Sequence, residues 1–167
     1  MTRGAHHSSM LDSIDRRILQ TLQENARITN QALAARVNLS PSACLARVRR
    51  LEAAGLLLGA HAAVDVERVQ PTVIVFAEVR LASHHPQDFA RFEEKIRALP
   101  QVVEAAQVSG SFDYLLKVAV PGINAWRILA DSLSAEDYGV AQITSLIRMA
   151  EVKRFTGYPI EGVEPRR

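Results

Sequence analysis

Asn38-Leu39-Ser40-Pro41-Ser42-Ala43-Cys44-Leu45-Ala46-Arg47-Val48-Arg49-Arg50-Leu51-Glu52 reads as a sharp turn running straight into a helix. Two start signals agree: Ser40 is an N-cap residue, and Pro41 sits at the first helical position, where its missing N–H costs nothing. Asn38 tolerates the left-handed backbone that a tight turn requires, and Gly55 is placed to end the helix. On a wheel of about 100° per residue, Cys44, Val48 and Leu51 fall inward while Ser42, Ala46, Arg49 and Ala53 fall outward, with Arg50 adjacent. Small residues let a helix approach a groove closely, and guanidinium groups reach base edges or phosphates. Arg47 lies on the flank, placed to contact phosphate or to brace the domain.

Upstream, Leu11, Ile14, Ile18 and Leu22 recur at helical spacing behind Asp12, which with Asp15 resembles a capping box. Thr29 caps a shorter helix carrying Leu33 and Val37, which stops at Asn38. Three short helices, the last two separated by a three-residue turn, describe a helix-turn-helix. Residues 1–60 hold eight arginines, no lysine and four acids, a net +4, against −2 for the remainder. That asymmetry points to polyanion binding by the N-terminal half. The alternative is a solvated helix in which Arg49 pairs with Glu52; the short turn and the Pro-initiated helix favour DNA. Cys44 reads as a small buried hydrophobe.

Downstream of an extended connector the period changes. Strands are expected over 73–81, 102–108, 112–120 and 140–152, and helices over 86–99 and 123–133. The turn Ser109-Gly110-Ser111 joins two of the strands as a hairpin. Strand, helix, strand, strand, helix, strand is the ferredoxin-like βαββαβ order. The runs Val73-Ile74-Val75-Phe76 and Val102-Val103 are apolar on both sides, so the sheet face without helices is expected to be covered by a second subunit. The fold class is thus α+β, with an N-terminal helix-turn-helix (winged-helix-like) domain and a C-terminal ferredoxin-like domain. The expected division is a flexible arm 1–10, a DNA-binding domain 11–56, a connector strand 57–70, an effector-binding and oligomerisation domain 71–153 and a tail 154–167.

The composition is that of an ordinary globular chain: 167 residues, 48% hydrophobic and 23% charged. No run approaches the roughly 20 apolar residues that span a bilayer, and the first ten residues lack a secretory apolar stretch. With a single cysteine, the expected location is cytoplasmic. No cofactor or metal site is expected, since His84-His85 lacks a matching third ligand. No nucleophile has an evident base, and Asp113 near Lys117 suits an ion pair or a ligand anchor better than catalysis. An enzyme is not expected.

Several blocks resemble the Lrp/AsnC family of transcription regulators, from Leu11 to about Val152. Leu11-Asp12-Ser13-Ile14-Asp15-Arg16-Arg17-Ile18-Leu19 looks like its opening helix, and Asn25-Ala26-Arg27-Ile28 like the link that follows. The stretch 39–52 is similar to its recognition helix, and Val108-Ser109-Gly110-Ser111-Phe112-Asp113-Tyr114-Leu115-Leu116-Lys117 to its effector-domain hairpin. Cys44-Leu45, Val48-Arg49-Arg50-Leu51-Glu52 and Glu151-Val152-Lys153 are most like the leucine-responsive branch. The resemblance implies a β-strand hinge, a RAM/ACT-like amino-acid-sensing domain, a homodimer and a ring of four dimers (an octamer), with small molecules bound between dimers. Two positions depart from the pattern: Asn38 replaces the usual turn glycine, and Arg148 stands where the last strand is usually apolar.

The expected function is sequence-specific, effector-modulated regulation of transcription, the alternative being a ligand-independent protein that wraps or bridges DNA. DNA contacts are expected at Ser40, Pro41, Ser42, Ala46, Arg47, Arg49 and Arg50 of double-stranded DNA. An amino acid presents a carboxylate and an ammonium on one carbon. Ser109, Gly110, Ser111 and Phe112 offer amides and hydroxyls for the first, and Asp113 a carboxylate for the second. From the residues alone, a tight turn at Gly110 capped by Asp113 is the better reading; the resemblance selects the effector site. Ser145 or Arg148 of the last strand, from this or a neighbouring subunit, would complete it. Arg148 can grip a second carboxylate or a ring substituent, so acidic or aromatic amino acids are the first candidates.

Overall fold

The computed structural model describes residues 11–162; the arm expected over 1–10 and the final residues 163–167 lie outside the described residues. The chain forms two compact units, one of residues up to 62 together with the return segment from 153, the other of residues 63–152.

In the first unit, α1 (Ser13–Glu24) opens on a complete capping box: the Asp12 carboxylate accepts from the Asp15 N–H at 2.8 Å, and the Asp15 carboxylate accepts from the Asp12 N–H at 3.3 Å. Thr29 caps α2 (Asn30–Val37) by accepting the Ala32 N–H. Asn38 then takes φ 57° and ψ 47°, the left-handed turn that its short polar side chain tolerates. The third helix, α3 (Pro41–Ala53), begins at Ser40 and ends as Gly55, at φ 69°, lets the Leu56 N–H reach back to the Leu51 carbonyl at 3.0 Å. Ile18, Leu33, Ala34, Val37, Cys44 and Leu51 form the core of this unit. The return segment lies along α1. Gln23 donates to the Tyr158 carbonyl at 3.1 Å and accepts the Tyr158 N–H at 2.7 Å, while Arg16 donates to the Glu161 carbonyl at 3.3 Å.

The second unit begins with a single helical turn, α4 (Val66–Val69), and continues as β1 (Val73–Leu81), α5 (Pro86–Arg97), β2 (Val102–Gln107), β3 (Tyr114–Val120), α6 (Ile123–Leu133), a 3₁₀ turn (Glu136–Tyr138) and β4 (Val140–Ile147). The sheet order is β2-β3-β1-β4 with every neighbouring pair antiparallel, which is the expected ferredoxin-like arrangement. Val75, Ala77, Val79 and Leu81 of β1 and Tyr114, Leu116, Val118 and Val120 of β3 pack with Phe92 and Ile96 of α5 and Trp126 and Leu133 of α6. The opposite face carries Ile74, Phe76, Lys117, Ala119 and Leu146 toward one end and Glu78, Arg80, Leu115, Gln142 and Thr144 toward the other.

The helix expected over 86–99 and the strands expected over 102–108 and 112–120 differ by one or two end residues, and two elements differ by more. Instead of running to 152, β4 ends at Ile147, because its partner β1 starts at Val73 and the last rung is the Arg148 N–H to the Ile74 carbonyl at 2.9 Å. The connector forms no paired strand: residues 58–65 are irregular, and an extended segment needs a ladder partner that nothing among the described residues supplies.

Candidate DNA-reading and effector sites

Capping fixes where α3 starts and therefore which residues share its outer face. Ser40 Oγ accepts the Ala43 N–H at 3.3 Å and lies 3.2 Å from Ser42 Oγ, while Asn30 of α2 donates to the Pro41 carbonyl at 2.8 Å. The turn is thus closed by side chains on both of its helices. Cys44 and Leu51 are fully buried, and burial pushes the Cys44 thiol above its ordinary range, so it packs as a hydrophobe. Ser42, Ala46 and Arg49 are exposed, as the helical wheel requires. Arg49 has no ion-pair partner among the described residues, and its expected alternative, a bridge to Glu52, is not formed.

The other two arginines of the stretch turn toward α1. Arg47 Nη1 lies 2.6 Å from Asp12 Oδ2 and 2.9 Å from Asp15 Oδ1, and Arg50 Nη2 lies 2.5 Å from Asp15 Oδ2. Asp15 is completely buried, whereas the Arg50 side chain remains 57% exposed. The Asp15 N–H, and then Arg47, hold the Asp12 carboxyl below its usual range; the two carboxylates raise Arg47 in turn. The sequence showed Asp12 and Asp15 only as a cap. Their second role had one signal: Asp15 falls beside the apolar stripe Leu11, Ile14, Ile18 and Leu22, where a carboxylate has to find a cation.

In the second unit the hairpin 108–113 is fastened to the end of β1. The Asp113 carboxylate accepts the Leu81 N–H at 2.8 Å and faces His84 Nε2 at 3.0 Å, and its backbone N–H donates to the Val79 carbonyl at 2.9 Å. Asp113 is therefore already engaged in bracing the hairpin. Gly110 adopts φ 145°, and Ser109 and Ser111 are exposed. Ser111 and Phe112 line a cleft of about 270 Å³ on the open sheet face with Glu78, Arg80, Gln142 and Thr144. Arg80 donates to Gln142 at 2.9 Å, while the half-buried Glu78 carboxylate makes no ion pair or hydrogen bond among the described residues. The remaining predicted residues lie elsewhere. Ser145 accepts the Trp126 indole N–H at 3.0 Å on the helix-covered face. Arg148 pairs with Glu67 at 2.8 Å and Glu151 at 3.5 Å, next to Ile74. About five residues of strand, or roughly 17 Å, separate it from the hairpin end of β1.

Residues 11–57 match the winged helix-turn-helix DNA-binding family, and residues 74–158 match the Lrp/AsnC ligand binding domain. The chain belongs to the Lrp/AsnC family. The leucine-responsive regulatory protein of Escherichia coli K12 is 40% identical over 144 residues, covering 86% of this chain and 88% of the relative, and that of Klebsiella pneumoniae is equally similar. A Neisseria meningitidis transcriptional regulator solved as an L-Met complex superposes with a TM-score of 0.82 at 34% identity, covering 90% of this chain and 97% of that one. Escherichia coli AsnC gives 0.75 at 26% identity over 88% and 99% of the two chains. This Lrp/AsnC protein is thus a transcription regulator with a DNA-binding helix-turn-helix and a ligand-binding ferredoxin-like domain. Among the described residues no group of His, Cys, Asp and Glu could hold a metal ion, and no helix is long and apolar enough to cross a membrane.

Proposed function

We propose that this regulator reads double-stranded DNA with the outer face of α3 and adjusts that binding to an amino acid held beside the hairpin 108–113. Arg49 supplies the base or phosphate contact, and Ser42 and Ala46 allow close approach. Ser40 and Pro41 fix the start of the helix, and Arg47 and Arg50 frame it from their carboxylate partners. The observation that carries the effector reading is the cleft on the open sheet face. It sets an unpartnered carboxylate, Glu78, near the Arg80 guanidinium and the Ser111 hydroxyl, with Phe112 as an apolar wall. An α-amino acid needs an acceptor for its ammonium, donors for its carboxylate and a surface for its side chain. Glu78 takes the ammonium, because Asp113 is occupied; Arg80, Ser111 and the amides around Ser109 and Gly110 take the carboxylate. Arg148 completes such a site only from a neighbouring subunit. The L-Met bound to the Neisseria relative supports an amino acid as the class of effector.

The protein acts as a homodimer that associates further, to an octamer of four dimers, in the cytoplasm. A thermal-shift screen of the twenty amino acids, with sizing chromatography alongside, tests this reading. The expected result is a stabilising subset that also changes assembly or DNA affinity; no stabilisation by any of them would count against an amino-acid effector.

A further inference from the structure

We propose that Asp15 is a specificity-determining positioning residue for DNA recognition: it withholds Arg50, and shares with Asp12 in withholding Arg47, from DNA phosphates. Two carboxylates and two guanidiniums meet at 2.5 to 2.9 Å at the junction of α1 and α3, and the group as a whole is neutral. Neutralising phosphates releases counterions and drives sequence-independent binding, and a cluster without net charge contributes none of that release. Arg50 Nη2 is committed to the completely buried Asp15 carboxylate, and a phosphate that drew it away would leave that carboxylate with Arg47 alone. The exchange is therefore unfavourable. Of the three arginines of α3, Arg49 alone is without an ion-pair partner among the described residues. Asp15 thus keeps affinity for random DNA low, leaving discrimination to the contacts of one arginine and the small residues beside it.

The test compares DNA binding of the full chain across a salt series, using a random-sequence duplex and a duplex enriched from a random pool by the parent protein. Asp15→Asn preserves shape and removes the charge. Its expected effects are tighter binding to random DNA, a salt slope steeper by roughly 0.9 per arginine released, and a smaller ratio of enriched-duplex to random-duplex affinity. A purely structural role would lower the melting temperature and leave the slope of the folded fraction alone. The parent's slope in a folded Asp15→Asn protein would overturn the proposal. Arg50→Met and Arg49→Met decide the matter even if Asp15→Asn fails to fold. Arg50→Met is expected to keep the parent's slope, whereas Arg49→Met is expected to lower the ratio of enriched-duplex to random-duplex affinity. A slope reduced by roughly 0.9 in Arg50→Met would make Arg50 a phosphate contact and sink the idea.

Discussion

Asp12 does two jobs with one carboxylate, receiving the Asp15 N–H as a cap and Arg47 as a counter-ion. Both partners favour the ionised form, so its folded-state pKa lies below its unfolded value near 3.9. A depressed carboxylate contributes stability that is present above the unfolded pKa and lost as pH falls through the folded one. The DNA-binding unit should therefore weaken below about pH 4. Asp12→Asn should flatten that acid limb while lowering stability at neutral pH, as urea titrations at several pH values will show. Asp15→Ala is expected to cost more, about 1.5 to 3 kcal/mol, because it removes the charge-assisted hydrogen bonds to Arg47 and Arg50 and one half of the capping box together. Arg49→Ala should leave stability within about 0.5 kcal/mol. In DNA binding it should lose about 1 to 3 kcal/mol if Arg49 contacts a base edge. Equal unfolding midpoints for Asp15→Ala and Arg49→Ala would contradict this division between structure and reading.

Elements whose boundaries are written in local chemistry were legible in advance. Ser40-Pro41 and Gly55 bracket α3, Thr29 opens α2, and the apolar patterning of β1 and α6 gives their limits. What failed depends on partners distant in sequence. The expected β4 runs to 152, yet the strand stops where β1 stops pairing; the connector has strand composition and no ladder partner among the described residues. The candidate sites divide in the same way. The outward set Ser42, Ala46 and Arg49 follows from helical phase alone, whereas the pairing of Arg47 and Arg50 with α1, the engagement of Asp113 by Leu81 and His84, and the remoteness of Arg148 all follow from packing. The return segment belongs to this second class. Its composition suggested a plain tail, but Gln23 grips Tyr158 from both sides, and a Cβ at Gly157 would stand 2.8 Å from Gln23 Oε1 with the backbone at φ 123°. Gly157→Ala should therefore release residues 153–162 from α1. Faster amide exchange and earlier proteolysis of that segment are expected, with the exchange of α3 unchanged; protection equal to the parent's would show that the segment is held by something other than this contact.

For the whole molecule, the open sheet face is the surface proposed to carry assembly. α5 and α6 cover one side of the sheet, while Phe76 on the other lies between Lys117 and Leu146 in register, and Leu146 is 47% exposed. Apolar residues at this density on a broad sheet face call for a partner, and an isologous contact lets one copy of the face cover another. The polar end of the same face holds the cleft with Glu78, Arg80 and Phe112, so a ligand in the proposed site would lie at the margin of the surface proposed to pair and would link effector binding to assembly. Two reading heads brought together by a twofold axis would in turn favour roughly palindromic half-sites spaced by helical turns. Phe76→Asp places a charge in the middle of the apolar half and is expected to weaken the dimer by about 3 kcal/mol or more, roughly a hundredfold in dissociation constant. Light scattering across a dilution series should show monomer where the parent is dimeric, and the variant should lose affinity for a two-half-site duplex more steeply than for a single half-site. A Phe76→Asp protein with the parent's mass at every concentration would mean that the sheet face is not where the subunits meet.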